Sequence, residues 1–313
     1  MKRLCFLVIC MSIIMGCSTS TSSTKALVDY VDPNIGTAHC RWFFYTPAAI
    51  PFGMAKLAPS TDAHLGNPGG WQAVGYDFRH TSIEGFANFH EFQVGGVVFA
   101  PTVGELQTVP GELENPDGGY RSRFDKKDEV AAPGYYSVLL KDYGVKAELT
   151  AMKRVGFHRY TYPKTEQANL IFDIGNKQGE SGEVKDAEVQ YFEDGRVEGY
   201  VITSPVYVNI YQKGADVRMY FSAVLNKKPV QVGTFVKDVV NPGKHQEKGP
   251  GAGLYMTFST EEQEAVEVKV GLSYTSIENA RFNRETEAAD VTFDQAKKNA
   301  TDVWNESLSR IYV

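Results

Sequence analysis

The chain has 313 residues, of which 42% are hydrophobic, and a formal net charge of −6 at pH 7. The composition is typical of a soluble globular protein, and the length suits one large domain with appendages. No run of five or more basic residues occurs, which argues against nucleic acid as a partner.

The first 24 residues are predicted to be an export and anchoring segment. Residues 1–16 have a basic start and an apolar stretch too short to span a bilayer, which is typical of a signal peptide. The stretch leads to Cys17 and a Ser/Thr-rich tract at 17–24, as in a bacterial lipobox. We expect lipidation of Cys17, a flexible tether at 17–24, and a location in the bacterial cell envelope, periplasmic or on the outer membrane. An ordinary secretory signal is the alternative.

Cysteine usage fits this interpretation. Two cysteines lie in the leader and Cys17 would carry the lipid, so only Cys40 remains. One thiol forms no internal disulfide, and no Cys-x-x-Cys or Cys/His zinc spacing is present. Cys40 could act as a nucleophile beside His39, but we favour a buried structural cysteine.

The mature chain is expected to open with a short strand at Val28–Val31, followed by a loop rich in proline and glycine. That loop holds a dense aromatic patch at 42–45. Such a patch either fills a core or forms a wall for a ring-shaped ligand. We favour the core for Phe43 and Phe44 and leave Trp42 undecided.

The segment 71–104 carries the side chains best suited to a small-molecule site. Trp71, His80, His90 and Glu91 lie in a glycine-punctuated stretch, interpreted as a loop, that leads into an apolar strand. A strand holds such a loop in the fixed geometry that ligand binding needs. The equal alternative is a polar loop whose side chains are buried and satisfied.

A metal site is not predicted. His90 and Glu91 begin like the zinc motif HExxH, but position 94 is valine, so the second histidine ligand is absent. The sequence also contains no GxSxG, no P-loop and no dinucleotide fingerprint.

Carboxylates are frequent near Trp71, at Asp62, Asp77, Glu84 and Glu91. Hydrolysis of a glycosidic bond needs two carboxylates that flank one bond, and sequence spacing does not reveal such a pair. We expect most of these residues to be at the surface or structural.

Two histidines elsewhere are interpreted as structural or incidental. His158 is expected to be half-buried and satisfied within a strand. His245 lies in a solvated loop at Asn241–Pro250 and is expected to have no role.

The sequence pattern predicts strands along most of the chain. The interval 111–134 is acidic and rich in glycine and proline, which indicates an exposed loop. The following segment predicts a hairpin around Asp142-Tyr143-Gly144 and a third strand, and Glu193-Asp194-Gly195 predicts another turn. Further strands are predicted at Val97–Pro101, Ala168–Ile174, Val184–Phe192, Arg196–Ser204, Val206–Gln212, Val217–Leu225, Pro229–Phe235, Gly253–Thr257 and Ala265–Tyr274.

A dozen short strands with frequent turns and no helix between them predict a large antiparallel β-sandwich, an all-β fold with more strands than an immunoglobulin domain. The C-terminal tail has helical periodicity instead. A short helix is predicted at Ile277–Glu287, and Thr292 and Gln295 match a capping box. Apolar residues then share one helical face, which either docks on the sandwich or forms a linker to a further domain: Ala296, Ala300, Val303, Trp304, Leu308 and Ile311.

Several of these segments resemble the N-terminal domain of glycoside hydrolase family 92, bacterial exo-acting α-mannosidases. The resemblance runs through nearly the whole mature chain, in order. It rests on VDPNIGT, PAAIPFGMAKLAPSTD, GYDFRHTSIEGFANFH, APTVGEL, DEVAAPGYYSVLLKDYGVKAELTAMKRVGFHRYTYP and VKVGLSYTSIENAR, together with the tail at 304–313.

The resemblance implies a β-sandwich at 25–275 and helices at 276–313 that lead toward an (α/α) barrel absent from this chain. It implies a calcium-dependent, inverting hydrolysis of α-mannosides whose acid, base and most calcium ligands lie on that barrel. No catalytic residue and no metal ligand is therefore expected in this chain.

The resemblance also implies roles for three residues. Trp71 matches a tryptophan that lies against the mannose, and His90 matches the last histidine of a GFSHTH-type motif. The sequence departs from that motif at Ala87-Asn88-Phe89 and at Glu91-Phe92-Gln93. Because these positions are expected near the pocket rim, the linkage preference is expected to differ, with Glu91 serving in substrate contact or loop structure.

Two functions remain open. One is a truncated α-mannosidase that contributes one wall of the sugar cleft and is inactive alone, with α-mannoside glycans and the missing catalytic domain as partners. The other is a stand-alone glycan-binding lipoprotein.

Overall fold

The computed structural model describes residues 25–38, 45–61, 75–92 and 94–311. Within these residues the chain forms strands almost throughout, and helices follow at the C-terminal end. The strands are β1 Ala48–Ala49, β2 Lys56–Ser60, β3 Ser82–Ile83, β4 Gly85–Glu91, β5 Val94–Val103, β6 Ser122–Arg123, β7 Val130–Ala132, β8 Tyr135–Leu140, β9 Val145–Ala151, β10 Val155–Tyr162, β11 Thr165–Asp173, β12 Glu183–Tyr191, β13 Val197–Ser204, β14 Val217–Leu225, β15 Gln231–Val236, β16 Val239–Pro242, β17 Gln246–Lys248, β18 Ala252–Thr260 and β19 Glu264–Ser273. The helices are α1 Val206–Tyr211, α2 Ile277–Ala288 and α3 Phe293–Leu308, with 3-10 turns at Leu27–Tyr30, Pro116–Gly118, Lys126–Asp128 and Gly179–Ser181.

Two large antiparallel sheets pack face to face as a sandwich, which confirms the predicted fold class. One sheet has the order β1-β2-β4-β5-β11-β18-β15-β16, the other β17-β12-β13-β14-β19-β10-β9-β8-β7, and β3 pairs with β6 separately. One continuous apolar core lies between them, with buried residues such as Phe86 and Phe172 from the first sheet and Tyr160 and Phe221 from the second. The alternation of apolar and polar residues along each strand directs the apolar side chains into this core.

The two C-terminal helices cover the outer face of the nine-stranded sheet. Val155 and Phe157 of β10 point away from the main core and pack with Phe293 and Ala296 of α3. Gly271 of β19 permits close packing of α2, since a Cβ atom at this position would lie 2.1 Å from the carbonyl oxygen of Ala280. A loop covers part of the other sheet's outer face, where Tyr120 packs in a separate apolar cluster.

The predicted helix signals are confirmed. Thr292 and Gln295 form the capping box, with Thr292 Oγ1 accepting from the Gln295 amide at 3.2 Å and Gln295 Oε1 accepting from the Thr292 amide at 2.8 Å. The apolar face of α3 docks on the sandwich, and the Trp304 indole donates to the Ala49 carbonyl at 2.7 Å. Ile311 lies beyond the helix and is 77% exposed.

Two predicted strands are wrong. Residues 27–30 form a 3-10 turn instead, in which the Val28 amide donates to the Asn305 side chain of α3 at 3.0 Å, and they pair with no strand among the described residues. Residues 206–211 form the helix α1, so the expectation of no helix among the strands is also wrong. Here the Asn209 side chain donates to the Pro205 carbonyl and accepts from the Gly214 amide, and these local hydrogen bonds outweigh the β propensity of the segment.

The interval 111–134 is less exposed than predicted. Tyr120, Arg121 and Phe124 are buried, because they bind groups that are remote in sequence. The described residues include no helix long and apolar enough to cross a membrane.

Candidate functional site

The sequence-predicted site residues divide between described and undescribed parts of the chain. Trp71 lies outside the described residues, as do Cys17, Cys40 and the aromatic residues 42–44. His90 and Glu91 are the last two residues of β4. The interpretation of this stretch as a loop is wrong for them, because β4 pairs with β5, with His90 opposite Gly95 and Glu91 opposite Val94.

The position in a strand separates the two side chains. Successive residues of a strand point to opposite faces of the sheet, so His90 and Glu91 do not share a face. Asn88 and the next residue, Phe89, both face the opposite sheet, since Asn88 binds His158 and Phe89 packs in the core between the sheets. The regular alternation is therefore interrupted before His90, beside Val97 of β5, which has φ +55°.

His90 is fully buried, with 0% exposure, and its two ring nitrogens have no hydrogen-bonding partner among the described residues. Burial lowers the pKa of His90 to about 4; the nearby Tyr45 backbone, which does not reach hydrogen-bond geometry with the ring, and the Glu84 carboxylate oppose this shift only in part. At neutral pH the imidazole is therefore uncharged, with one nitrogen able to donate and the other to accept. A buried polar group without partners needs an explanation.

Glu91 lies at the end of the sandwich and is partly exposed. Its carboxylate forms an ion pair with Lys56, the first residue of β2. Beside it, Tyr274 packs against Phe89 with ring centroids 5.0 Å apart. Burial, and then the Glu91 charge, raise the pKa of the Tyr274 phenol well above its usual value, so this hydroxyl remains a hydrogen-bond donor.

The other polar residues of this stretch form hydrogen bonds and ion pairs with nearby side chains. His80 Nδ1 lies 2.8 Å from Thr61 Oγ1, and burial lowers its pKa despite the nearby Asp77 carboxylate. Burial alone would raise the pKa of Asp77, but the hydrogen bonds from Arg79 lower it to about 2. These contacts indicate structural roles, as expected for Asp77.

Glu84 is also structural, as expected. Its carboxylate lies 3.2 Å from the guanidinium of Arg121, and both side chains are almost completely buried. Arg121 also donates to the Thr61 carbonyl at 2.7 Å and to Ser82 Oγ at 2.9 Å. A buried charge must be paired in this way, and the pair ties the loop at 111–121 to the sandwich.

Three of the positions where the sequence departs from the GFSHTH-type motif are buried. Ala87, Asn88 and Phe89 are each at most 1% exposed, so their side chains pack inside the domain, whereas Glu91 is partly exposed. Asn88 in particular donates to the Val97 carbonyl at 2.7 Å and accepts from His158 Nε2 at 2.8 Å.

Sequence reasoning missed a cluster centred on Glu129. The Glu129 carboxylate accepts from the phenols of Tyr76 and Tyr136, at 2.8 Å and 2.7 Å, and from Lys126 at 2.9 Å. Tyr45 stacks on Tyr76 with centroids 4.0 Å apart.

The Lys126 ammonium also lies over aromatic rings, 4.7 Å from the Tyr76 centroid and 4.4 Å from that of Phe124. Burial lowers the pKa of Lys126, and the Glu129 carboxylate opposes the shift. No local sequence motif predicts this cluster, because its members come from four separated segments of the chain.

The described residues do not fit a calcium site. Among them, no three His, Cys, Asp or Glu side chains converge so as to hold a metal ion. Calcium prefers six to eight oxygen ligands, several of them carboxylates. The carboxylates of Glu84, Glu91 and Glu129 are instead paired with Arg121, Lys56 and Lys126.

Comparison with known families decides what this fold belongs to. The model of the glycosyl hydrolase family 92 N-terminal domain matches residues 30–273. The chain belongs to glycosyl hydrolase family 92. The match covers the sandwich, from the 3-10 turn at the start through the last strand β19. No curated protein sequence matches the chain.

Solved structures of family 92 agree with this membership. The chain is similar to a family 92 α-mannosidase from Bacteroides thetaiotaomicron, at 29% identity and a TM-score of 0.82 over 92% of this chain and 38% of that one. A structure of that α-mannosidase in complex with mannoimidazole matches at 29% identity and a TM-score of 0.79, over 91% and 37%. The family 92 glycosyl hydrolase ccman5 matches at 26% identity and a TM-score of 0.73, over 91% and 37%. The chain thus spans less than two fifths of the length of these relatives.

Proposed function

We propose that this chain is the cleft-forming N-terminal part of a calcium-dependent, inverting α-mannosidase that acts in glycan breakdown. The observation that carries the proposal is the match of residues 30–273 to the family 92 N-terminal domain, with a similar α-mannosidase that binds mannoimidazole. Because the chain spans 38% of that relative, catalysis is assigned to a portion of the family enzyme outside the aligned domain.

The ion pairs of the described site support the assignment of catalysis to a portion of the enzyme outside this domain. Inverting hydrolysis uses a carboxylic acid and a carboxylate about 6.5–9.5 Å apart, with a water between one of them and the sugar. Glu84 is buried with Arg121, and Glu129 is held by two phenols and Lys126. These carboxylates are arranged for structure and not for proton transfer. The catalytic acid and base, and the oxygen ligands of Ca²⁺, then belong to the remaining portion.

The role of this chain is to bind and orient the sugar. Trp71 supplies an aromatic face for stacking on the mannose ring. His90, neutral and without protein partners among the described residues, supplies a donor and an acceptor for a sugar hydroxyl. Glu91 is held by Lys56 at the end of β4 and supplies a carboxylate oxygen at the edge of the cleft.

The leader implies a location. We propose that Cys17 is lipidated and anchors the protein in the bacterial cell envelope. A Cys17→Ser variant is then found in the soluble fraction of cells instead of the membrane fraction. Equal membrane partitioning of the variant and the wild type would exclude the anchor.

The purified chain is expected not to release mannose from α-mannosides, because the proposed acid and base lie elsewhere. Release of mannose that chelation abolishes would overturn this division. Calorimetry with mannobiose tests the binding role. Trp71→Ala is expected to weaken binding about tenfold, since an aromatic stack is worth roughly 1–1.5 kcal/mol, whereas Trp71→Phe retains most of it.

His245→Gln, which changes an exposed histidine in a distant loop, serves as the matched control. Unchanged affinity in Trp71→Ala would remove Trp71 from the proposed cleft. Tight binding by the chain alone would favour the stand-alone glycan-binding lipoprotein.

A further inference from the structure

The turn at Ile50–Gly53 holds an aromatic side chain in an unfavourable position. Phe52 has φ +59°, in the left-handed region that suits glycine and asparagine and not a bulky residue. Its side chain is also 96% exposed, so no packing within the described chain offsets the strain. Strained residues that persist in proteins cluster at functional sites.

The turn is rigid and does not resemble a loose loop tip. The Gly53 amide donates to the Ile50 carbonyl at 3.1 Å and closes the turn. The next two amides, of Met54 and Ala55, both donate to the Lys153 carbonyl, at 2.6 Å and 3.2 Å. On the other side, the Ala49 carbonyl accepts from the Trp304 indole of α3. Phe52 is therefore presented to the outside by a fixed backbone.

Two other exposed apolar side chains belong to segments that contact or follow α3. The Val28 amide binds Asn305, which places the N-terminal segment beside the C-terminal half of this helix. Tyr30 in that segment is 69% exposed and Ile311, just beyond the helix, 77%. We name Tyr30, Phe52 and Ile311 the α3 patch. Large apolar side chains left exposed in segments that border one helix are candidates for an interaction surface.

Phe52 lies in the turn before β2, at the same end of the sandwich as the candidate sugar residue Glu91. Lys56 follows Phe52 by four residues and forms the ion pair with Glu91 at the end of β4. A partner seated on Phe52 therefore faces the same end of the sandwich as Glu91 and Tyr274. A cleft between two domains requires this neighbourhood of docking surface and ligand groups.

We propose that Phe52 is the anchor through which this domain docks the remaining portion of a family 92 chain, with its ring inserted in an apolar pocket of that portion. The occupant follows from size: the domain aligns with 37–38% of its solved relatives, so most of each relative lies outside it. Central aromatic anchors carry most of the energy of such interfaces, and a preset backbone reduces the entropy lost on docking. The inference rests on the proposed function, because it assigns the partner of the same cleft.

The first test superposes this chain on the Bacteroides thetaiotaomicron α-mannosidase structure. The residue that aligns with Phe52 is expected to be buried by the part of that chain outside the aligned domain. A solvent-exposed side chain at that position would overturn the docking inference and leave the proposed sugar-binding role intact. Unchanged sugar binding by the Trp71→Ala variant would instead contradict the sugar-binding role of Trp71 and leave the docking inference intact.

The second test uses the full 313-residue chain and the variant Phe52→Asn, because asparagine tolerates positive φ. The variant is expected to unfold at equal or higher urea concentration than the wild type and to bind less of a hydrophobic dye. Phe282→Asn, at a 60% exposed position on α2, is the matched control and lacks the strain. A Phe52→Asn variant that unfolds at lower urea concentration would show that Phe52 stabilises this domain, which contradicts an anchor for a partner.

Discussion

His158 and His90 are both completely buried, yet the sandwich satisfies only one of them. His158 has partners on both ring nitrogens: Nδ1 lies 2.8 Å from the Tyr160 hydroxyl and Nε2 lies 2.8 Å from Asn88 Oδ1. His90 lies two residues beyond Asn88 in β4, and its ring has no hydrogen-bonding partner among the described residues. Both residues are buried imidazoles, but only His158 has hydrogen-bonding partners among the described residues.

The contrast separates a structural histidine from a candidate functional one. Asn88 Nδ2 donates to the Val97 carbonyl, so Oδ1 must accept and His158 Nε2 must carry the proton. Nδ1 then accepts from Tyr160, and every polar atom of the network is used. This network links the two sheets through the core. His90 makes no such link among the described residues, which is why we propose it as the ligand-binding histidine.

Acid should destabilise the chain through both histidines. Burial lowers the pKa of His158 to about 3 and that of His90 to about 4, whereas unfolded histidine has a pKa of about 6.5. Below pH 6.5 the unfolded chain binds more protons, so stability is complete above that pH and falls as the pH decreases toward 4. At about 1.4 kcal/mol per pH unit for each residue, the loss from pH 7 to pH 5 is about 4 kcal/mol.

Urea unfolding at pH 7, 6 and 5 measures this loss. A variant with both histidines changed to leucine should show a shallower dependence, and His245→Gln should behave as the wild type. An equal dependence in the double variant and the wild type would show that the two imidazoles do not control acid stability.

His158→Leu should destabilise the chain by about 2–4 kcal/mol at pH 7. The substitution leaves Asn88 Oδ1 and the Tyr160 hydroxyl buried without a partner, and each such group costs about 1–3 kcal/mol. Urea unfolding measures the change. A loss under 1 kcal/mol would indicate that the network bridging the sheets contributes little.

His90→Leu should have the smallest effect on stability, within about 1 kcal/mol of the wild type, because it removes no hydrogen bond among the described residues and replaces a buried ring by a side chain of similar size. The same variant should weaken mannobiose binding in calorimetry. A stability loss above 2 kcal/mol without a change in binding would make His90 a second structural histidine.

Local patterns were enough to predict most of the fold. Strand Val217–Leu225 matches its prediction residue for residue, and the capping box at Thr292 forms as expected. Alternation and capping depend on residues a few positions apart, which is why they can be read directly. The segment at 206–212 also has β-like composition, but a single asparagine with local hydrogen bonds turned it into helix.

The site was predicted less completely, because its geometry depends on distant residues. The sequence indicates His90 and Glu91 as candidate site residues and predicts a loop for both. They lie instead in a strand, which directs their side chains to opposite faces. No local sequence pattern indicates Glu129 as a site residue, because its partners Tyr76 and Tyr136 approach it only when the chain folds.

The sequence by itself determined the β-rich class, the C-terminal helices and the family, because periodicity, capping residues and motif order are local. Only the tertiary structure decided which histidine is satisfied, which carboxylates are paired, and that Phe52 is strained and exposed. These properties depend on contacts such as that of Asn88 with His158, 70 residues apart, or on a backbone angle that the surrounding hydrogen bonds impose. The balance of hydrogen bonds and burial around a side chain is fixed only when the sheets meet.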